Sequence, residues 1–228
     1  MFTGDPKILL LALLGGIIPS IVWLLFWLRE DRDKPEPKGV LTGVFLVGML
    51  SVICILPIQQ FIQLNIASYE WQVVLWATVE EIVKYLAVIV VLRKTALIDE
   101  HVDWPIYFIT AAVGFAALEN AMFLIKPLQL EQATVSLLTG HLRFLGSTLL
   151  HTVSSGAFGL SVGLAMHSTP FGKKIHFVIG LLLAVILHSV FNFFIMEDTE
   201  GNIFKAFGFL WVSAVVLMLI FEKLRRMK

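Results

Sequence analysis

Residues 71–92 read WQVVLWATVEEIVKYLAVIVVL, and this stretch decides the class of fold. As a helix rising 1.5 Å per residue it would extend ~33 Å, enough to cross a ~30 Å hydrocarbon core. Near its middle stand Glu80, Glu81 and Lys84. An acid at the centre of a membrane helix costs roughly 2.5–3.5 kcal/mol on insertion scales, so a fold alone gives no reason to keep it. Around the helix Lys84 lies ~40° from Glu80 and ~60° from Glu81, and can pair with either. The acid left over calls for a proton, a metal or another cation. A buried ion pair that fixes helix register would need only one acid. Two suggest a general base and a carboxylate that supports it.

The rest of the chain has the same apolar character. Of 228 residues, 58% are hydrophobic and 15% charged, with a mean hydropathy of +0.87. Soluble domains are about a quarter charged, so this is a membrane composition. Apolar runs predict seven helices near 8–28, 39–64, 71–92, 105–125, 136–166, 174–196 and 203–221. The first run carries no charge and reads as a full span rather than a signal segment. The fifth is long and glycine-rich, which allows a tilt, kink or break. No repeat, low-complexity tract or second domain is visible, so the expectation is one integral-membrane domain over 1–228. Zero net charge and the lack of a basic, aromatic-interleaved face argue against a nucleic-acid partner. The lone Cys54 forms neither an internal disulfide nor a metal cluster, and reads as a small packed residue.

Basic residues set the expected direction. Arg29, Arg32, Lys34, Lys38, Arg93, Lys94, Lys173, Lys174, Lys223, Arg225, Arg226 and Lys228 all fall on alternate connections or the tail. Only Lys7, Lys126 and Lys205 fall on the other side. The expectation is N-terminus out and C-terminus in. Glu80 then lies about ten residues, or ~15 Å, below the outer end of its span. Glu119, His151 and His188, on three further spans, fall in the middle to outer half of the bilayer.

These residues sit in recognisable settings. In Phe115-Ala-Ala-Leu-Glu119-Asn120, Phe115 and Glu119 share a face, among small residues suited to close helix approach. Glu119 is a metal ligand or a second acid/base group on this reading, against an acid that merely packs in a polar seam. His151 is followed by Gly159 and Gly163, a GxxxG pattern for tight contact. Arg143 is placed to neutralise Glu119, to bind a substrate carbonyl or to snorkel. His188 and Asn192, four apart on one face, suit an oxyanion, or a metal with a positioned water. A lone histidine in an apolar helix is more often a satisfied polar group. Four helices carrying ionisable groups to one depth favour a site.

At these residues the chain resembles the PrsW family of bacterial intramembrane proteases, within a wider group that includes the type II CAAX prenyl endopeptidases and bacteriocin-immunity relatives. Glu80-Glu81-x-x-Lys84 matches its first motif and Phe115-x-x-x-Glu119 its second, while His151 and His188-x-x-x-Asn192 match the later histidine motifs. Glu119 discriminates, since CAAX endopeptidases usually carry histidine there and a longer EExxxR spacing. The similarity covers roughly residues 76–195.

The resemblance implies an intramembrane endopeptidase of the bacterial cell membrane. Its implied substrate is a single-span membrane protein of the anti-sigma-factor kind, cut on the extracytoplasmic side as a first cleavage. Glu80 and Glu81 are the implied catalytic acids, with Lys84 paired to them and Asn192 beside His188. Glu119, His151 and His188 are the implied metal or transition-state groups. Two histidines and one glutamate form a normal catalytic Zn2+ set; a metal-free glutamate mechanism with histidine oxyanion donors stays open beside it. Two other classes are compatible with buried acids and histidines. One is a non-catalytic scaffold, like the related scaffold subunit of gamma-secretase, against which the paired glutamates weigh. The other is a proton or ion carrier, for which an inverted repeat would speak, and none is visible.

Overall fold

In a computed structural model, residues 4–29, 34–93, 95, 97–196 and 202–226 are described, and all the regular structure among them is helical. Arg32, Lys94 and Lys228, which contribute to the expected direction, lie outside those residues. The helices are α1 Pro6–Leu28, α2 Lys38–Asn65, α3 Tyr69–Leu92, α4 Asp103–Gln129, α5 Ala133–Leu142, α6 Thr148–Leu164, α7 Pro170–Met196 and α8 Asn202–Arg225. They fall where the apolar runs lie. Run five becomes α5 and α6, joined without a break by a π-helical segment, Arg143–Ser147. Such wide turns rotate the side chains around them and often mark functional sites.

Five of these helices are long and apolar enough to cross a membrane: α1, α2, α4, α7 and α8. The middle of α3 is less apolar because Glu80, Glu81 and Lys84 occupy it. On α1, Ile18, Val22 and Leu25 stay exposed, as do Phe61 and Leu64 on α2 and Val212 and Leu219 on α8. Apolar side chains pointing away from the bundle are what a lipid solvent requires.

Helix α4 is the axis. Its apolar window is 78% buried, against 17–33% in the other four candidate spans. Lipid tails are as apolar as leucine, so helices associate through close packing rather than by escape from solvent. Small residues provide that packing. Gly48 on α2 lies against the backbone of Ala111, and Gly114 on α4 against that of Phe45. Gly16 on α1 abuts Ala117 and Ala121. Both glycines of the 159–163 pattern are used. A Cβ on Gly159 would sit 2.6 Å from Pro105 Cα, and one on Gly163 would run into the His101 carbonyl. Nearby, Asp103 Oδ2 accepts from the backbone N–H groups of Asp99 and Glu100, each at 2.8 Å, and ties the preceding loop to the start of α4. Tyr107 donates to Glu36 and anchors the lead-in to α2. The remaining end of the bundle, where Glu119 lies, is left to hold polar groups.

Candidate active site

Glu80, Glu81 and Lys84 form the interior face of α3, and all three are buried. The two acids have different surroundings. Glu81 has both oxygens engaged: Oε1 accepts from Lys84 Nζ at 2.8 Å and faces His188 Nδ1 at 2.9 Å, and Oε2 accepts from Ser155 Oγ at 2.7 Å. Glu80 does not. Its Oε1 accepts from Gln59 Nε2 at 3.0 Å, while the buried Oε2 has no hydrogen-bond partner. That oxygen faces His188 Nε2 at 3.5 Å and Lys84 Nζ at 3.9 Å.

The histidines are held from behind. With Nδ1 of His188 donating to Glu81, its Nε2 lone pair is directed at Glu80. This carboxylate–histidine arrangement is the one that fixes tautomer and ring direction in metal ligands. His151 Nδ1 lies 2.8 Å from Lys84 Nζ, and its Nε2 lies 3.2 Å from Glu119 Oε2. A lysine ammonium has donors only, so with Lys84 charged Nδ1 accepts and the ring proton faces Glu119; ligation of a cation through Nε2 would take the other tautomer, with the ring proton on Nδ1 and Lys84 neutral. The two rings meet edge to face, with centroids 5.0 Å apart. Phe115 supports both His151, at 5.2 Å between rings, and Lys84, whose Nζ lies 4.6 Å over the phenyl ring. The Phe115-x-x-x-Glu119 spacing thus puts a packing surface under the cluster and an acid beside it.

Glu119 has a different partner. Arg143, at the start of the π segment, pairs with it, donates from Nε to Asn120 Oδ1 at 2.6 Å and from Nη2 to Ser147 Oγ at 2.9 Å. Its guanidinium stacks 3.8 Å over Phe123. Asn120 in turn donates to Thr148 Oγ1 at 2.9 Å. Side-chain exposure is 20% for Glu119 and 17% for Arg143, whereas Glu81 and Lys84 have none. Glu119 is therefore reachable by water in a way that Glu81 is not.

A cavity of about 790 Å³ opens onto the cluster. Glu80, Glu119, Arg143, Ser147, His151, His188 and Asn192 form its polar part, and Val52, Ile55, Met122, Phe191 and Phe207 are among its apolar walls. Glu81 and Lys84 are not on the wall. Gln59, Gln60 and Gln63 line it from α2, a helix the sequence motifs do not mark. The signal was available: three amides within five positions of an apolar span, two of them four apart on one face.

Among the described residues, one group could hold a metal ion: Glu80, His151 and His188, whose ligand atoms lie within 4.8 Å of one another. The expected set had Glu119 in place of Glu80. Glu119 lies beside this set, with its charge already matched by Arg143. The unpartnered Glu80 Oε2 and the free His188 nitrogen fit a divalent cation, which takes ligand bonds of ~2.0–2.2 Å from such N and O donors. The set is slightly more open than a bound ion would leave it.

Comparison with known proteins agrees with this picture. A family model described as PrsW family intramembrane metalloprotease matches residues 36–221. A protein named Protease PrsW from Clostridioides difficile is 30% identical over 195 residues, covering 80% of this chain and 78% of its own. Proteins of that name from Oceanobacillus iheyensis and Bacillus subtilis are 27% and 26% identical, covering 81% and 78% of this chain and 83% and 80% of their own. No solved structure matches the chain.

Proposed function

The chain belongs to the PrsW family of intramembrane metalloproteases, and from that membership we propose that it cuts single-span membrane proteins of the anti-sigma-factor kind on the extracytoplasmic side. It is a multi-pass membrane protease, as its bacterial relatives are. The whole chain acts as one protease unit of seven spans, N-terminus out and C-terminus in. The distribution of lysine and arginine supports that direction. With it, the cavity lies toward the outer leaflet, because Gln59 and Gln63 approach the end of α2 while Arg143 and Ser147 follow soon after α5 begins.

The observation that carries the reading is the Glu80, His151, His188 set opening onto a cavity that also holds Glu119. We assign the metal to Glu80, His151 and His188, and zinc suits two imidazoles and a carboxylate. Such an ion supplies Lewis-acid polarisation of the scissile carbonyl and of the attacking water. Glu119 is the base: it is the other carboxylate on the cavity wall, it is near His151, and Arg143 and Ser147 fix its orientation. It takes the water's proton and returns it to the leaving amine nitrogen. Asn192 lines the cavity one turn beyond His188 and offers its amide to the developing oxyanion. Glu81 and Lys84 do not touch substrate; they hold His188 and His151 in place. The substrate helix must open locally to expose a carbonyl, and the polar rim of the cavity can accept the freed backbone groups.

Cleavage of a single-span reporter by purified protein tests this reading. Wild type should release a fragment ending on the outer side of the span, and Glu119→Gln should release none. A Glu119→Gln protein that cleaves at the wild-type rate removes the base assignment.

A further inference from the structure

Glu80 is the acid with an unpartnered buried oxygen, and what directs that oxygen lies on α2. Gln59 Nε2 donates to Glu80 Oε1 at 3.0 Å. The backbone carbonyl of Gln59 itself accepts from Trp76 Nε1 at 3.2 Å. Trp76 and Glu80 are one turn apart on α3, so the same face of α3 grips Gln59 through its main chain and receives its side chain. Pro57, two residues earlier in α2, removes one internal helix bond just before this point.

The chemistry of the donor matters. The terminal torsion of a glutamate is broad and roughly two-fold, so an unrestrained carboxylate samples many directions. Lys84 could restrain it, but its ammonium is committed to Glu81 at 2.8 Å and reaches Glu80 only at 3.9 Å. An amide orients a carboxylate without cancelling its charge. Glu80 thus has one oxygen held by Gln59 and the other turned to His188 Nε2. A lysine or arginine at position 59 would compete with any cation at that oxygen.

We propose that Gln59 is a positioning residue of the active site, fixing Glu80 so that Oε2 completes the set with His151 and His188. This rests on the function proposed above, and it extends the catalytic apparatus to α2. Partners of this kind typically contribute 10–100-fold to metal affinity or activity.

The test uses full-length protein in detergent, stripped with chelator and titrated with Zn2+, alongside reporter cleavage. Gln59→Leu removes the donor at similar size, and Gln59→Glu keeps the shape but replaces the donor with a second acid. Helical content and elution volume identify folded variants. Both variants should lose ~10–100-fold in Zn2+ affinity and in kcat, with KM little changed. A role in α2–α3 packing alone would be preserved by the isosteric glutamate, which should then match wild type. Glu80→Gln runs in parallel. If it loses cleavage while both Gln59 variants bind Zn2+ and cleave within about threefold of wild type, the positioning role is overturned and the site stands. If Glu80→Gln itself cleaves normally, both the site and the role assigned to Gln59 fall.

Discussion

Ser155 on α6 donates to Glu81 Oε2 at 2.7 Å, engaging the second oxygen of a carboxylate whose first already meets Lys84 and His188. Its neighbour Glu80 keeps one oxygen unpartnered. Two adjacent acids of identical chemistry therefore carry separate tasks, Glu81 holding the architecture and Glu80 facing the cavity.

This separation predicts different costs for two similar substitutions. Glu81→Gln leaves Lys84 buried without its closest counter-charge, and breaking a buried pair costs ~3–5 kcal/mol. Its thermal transition in detergent should drop clearly, together with cleavage. Glu80→Gln should abolish cleavage at nearly unchanged thermal stability. Equal melting points for the two variants would contradict the division.

Arg143 engages Glu119, Asn120, Ser147 and Phe123 through a planar, forked guanidinium. A lysine keeps the charge but reproduces neither the fork nor the stacking. Arg143→Lys should therefore lose cleavage almost as fully as Arg143→Ala, by ~10²-fold in kcat, as misplacement of a catalytic group such as Glu119 does. Recovery of most of the activity by lysine would mean that Arg143 acts only as a charge.

Packing of α6 on the start of α4 depends on the absence of a side chain at Gly159, where a Cβ would lie 2.6 Å from Pro105 Cα. Gly159→Ala should destabilise the protein by ~1–3 kcal/mol, the range for overpacking. Gly208→Ala on α8 has nothing within 4 Å and serves as the control. Thermal unfolding of the two variants side by side makes the comparison, and similar melting points would show that α6 can shift away cheaply.

Direction in the membrane is testable through thiols, because Cys54 is the only native one. In a Cys54→Ser background, Gln132→Cys should react with an impermeant maleimide in intact cells. Thr169→Cys should react only after permeabilisation. The reverse pattern would invert the bundle and put the cavity on the cytoplasmic side.

Much of this was readable from spacing. Glu80, Glu81 and Lys84 fall on one helical face by their numbering alone, and apolar run lengths mark the helices to within a few residues. Gly159 and Gly163 announce a close approach, which Pro105 of α4 and the His101 carbonyl just before that helix answer. The division of labour between the acids was not readable. It is set by Gln59 and Ser155, which come from helices 21 residues before Glu80 and 74 residues after Glu81 and lie in segments without charge. The exchange of Glu119 for Glu80 in the candidate metal set has the same origin. It follows from Arg143 turning toward α4, and Arg143 opens a π segment that helix periodicity does not foretell.

The central claim is that Glu80, and not Glu119, completes the metal set with the two histidines. The zinc content per chain of purified Glu80→Gln and Glu119→Gln proteins tests it most directly. Wild type and Glu119→Gln should carry equal zinc, with Glu119→Gln unable to cleave, and Glu80→Gln should carry little or none. Zinc retained by Glu80→Gln and lost from Glu119→Gln would contradict the assignment.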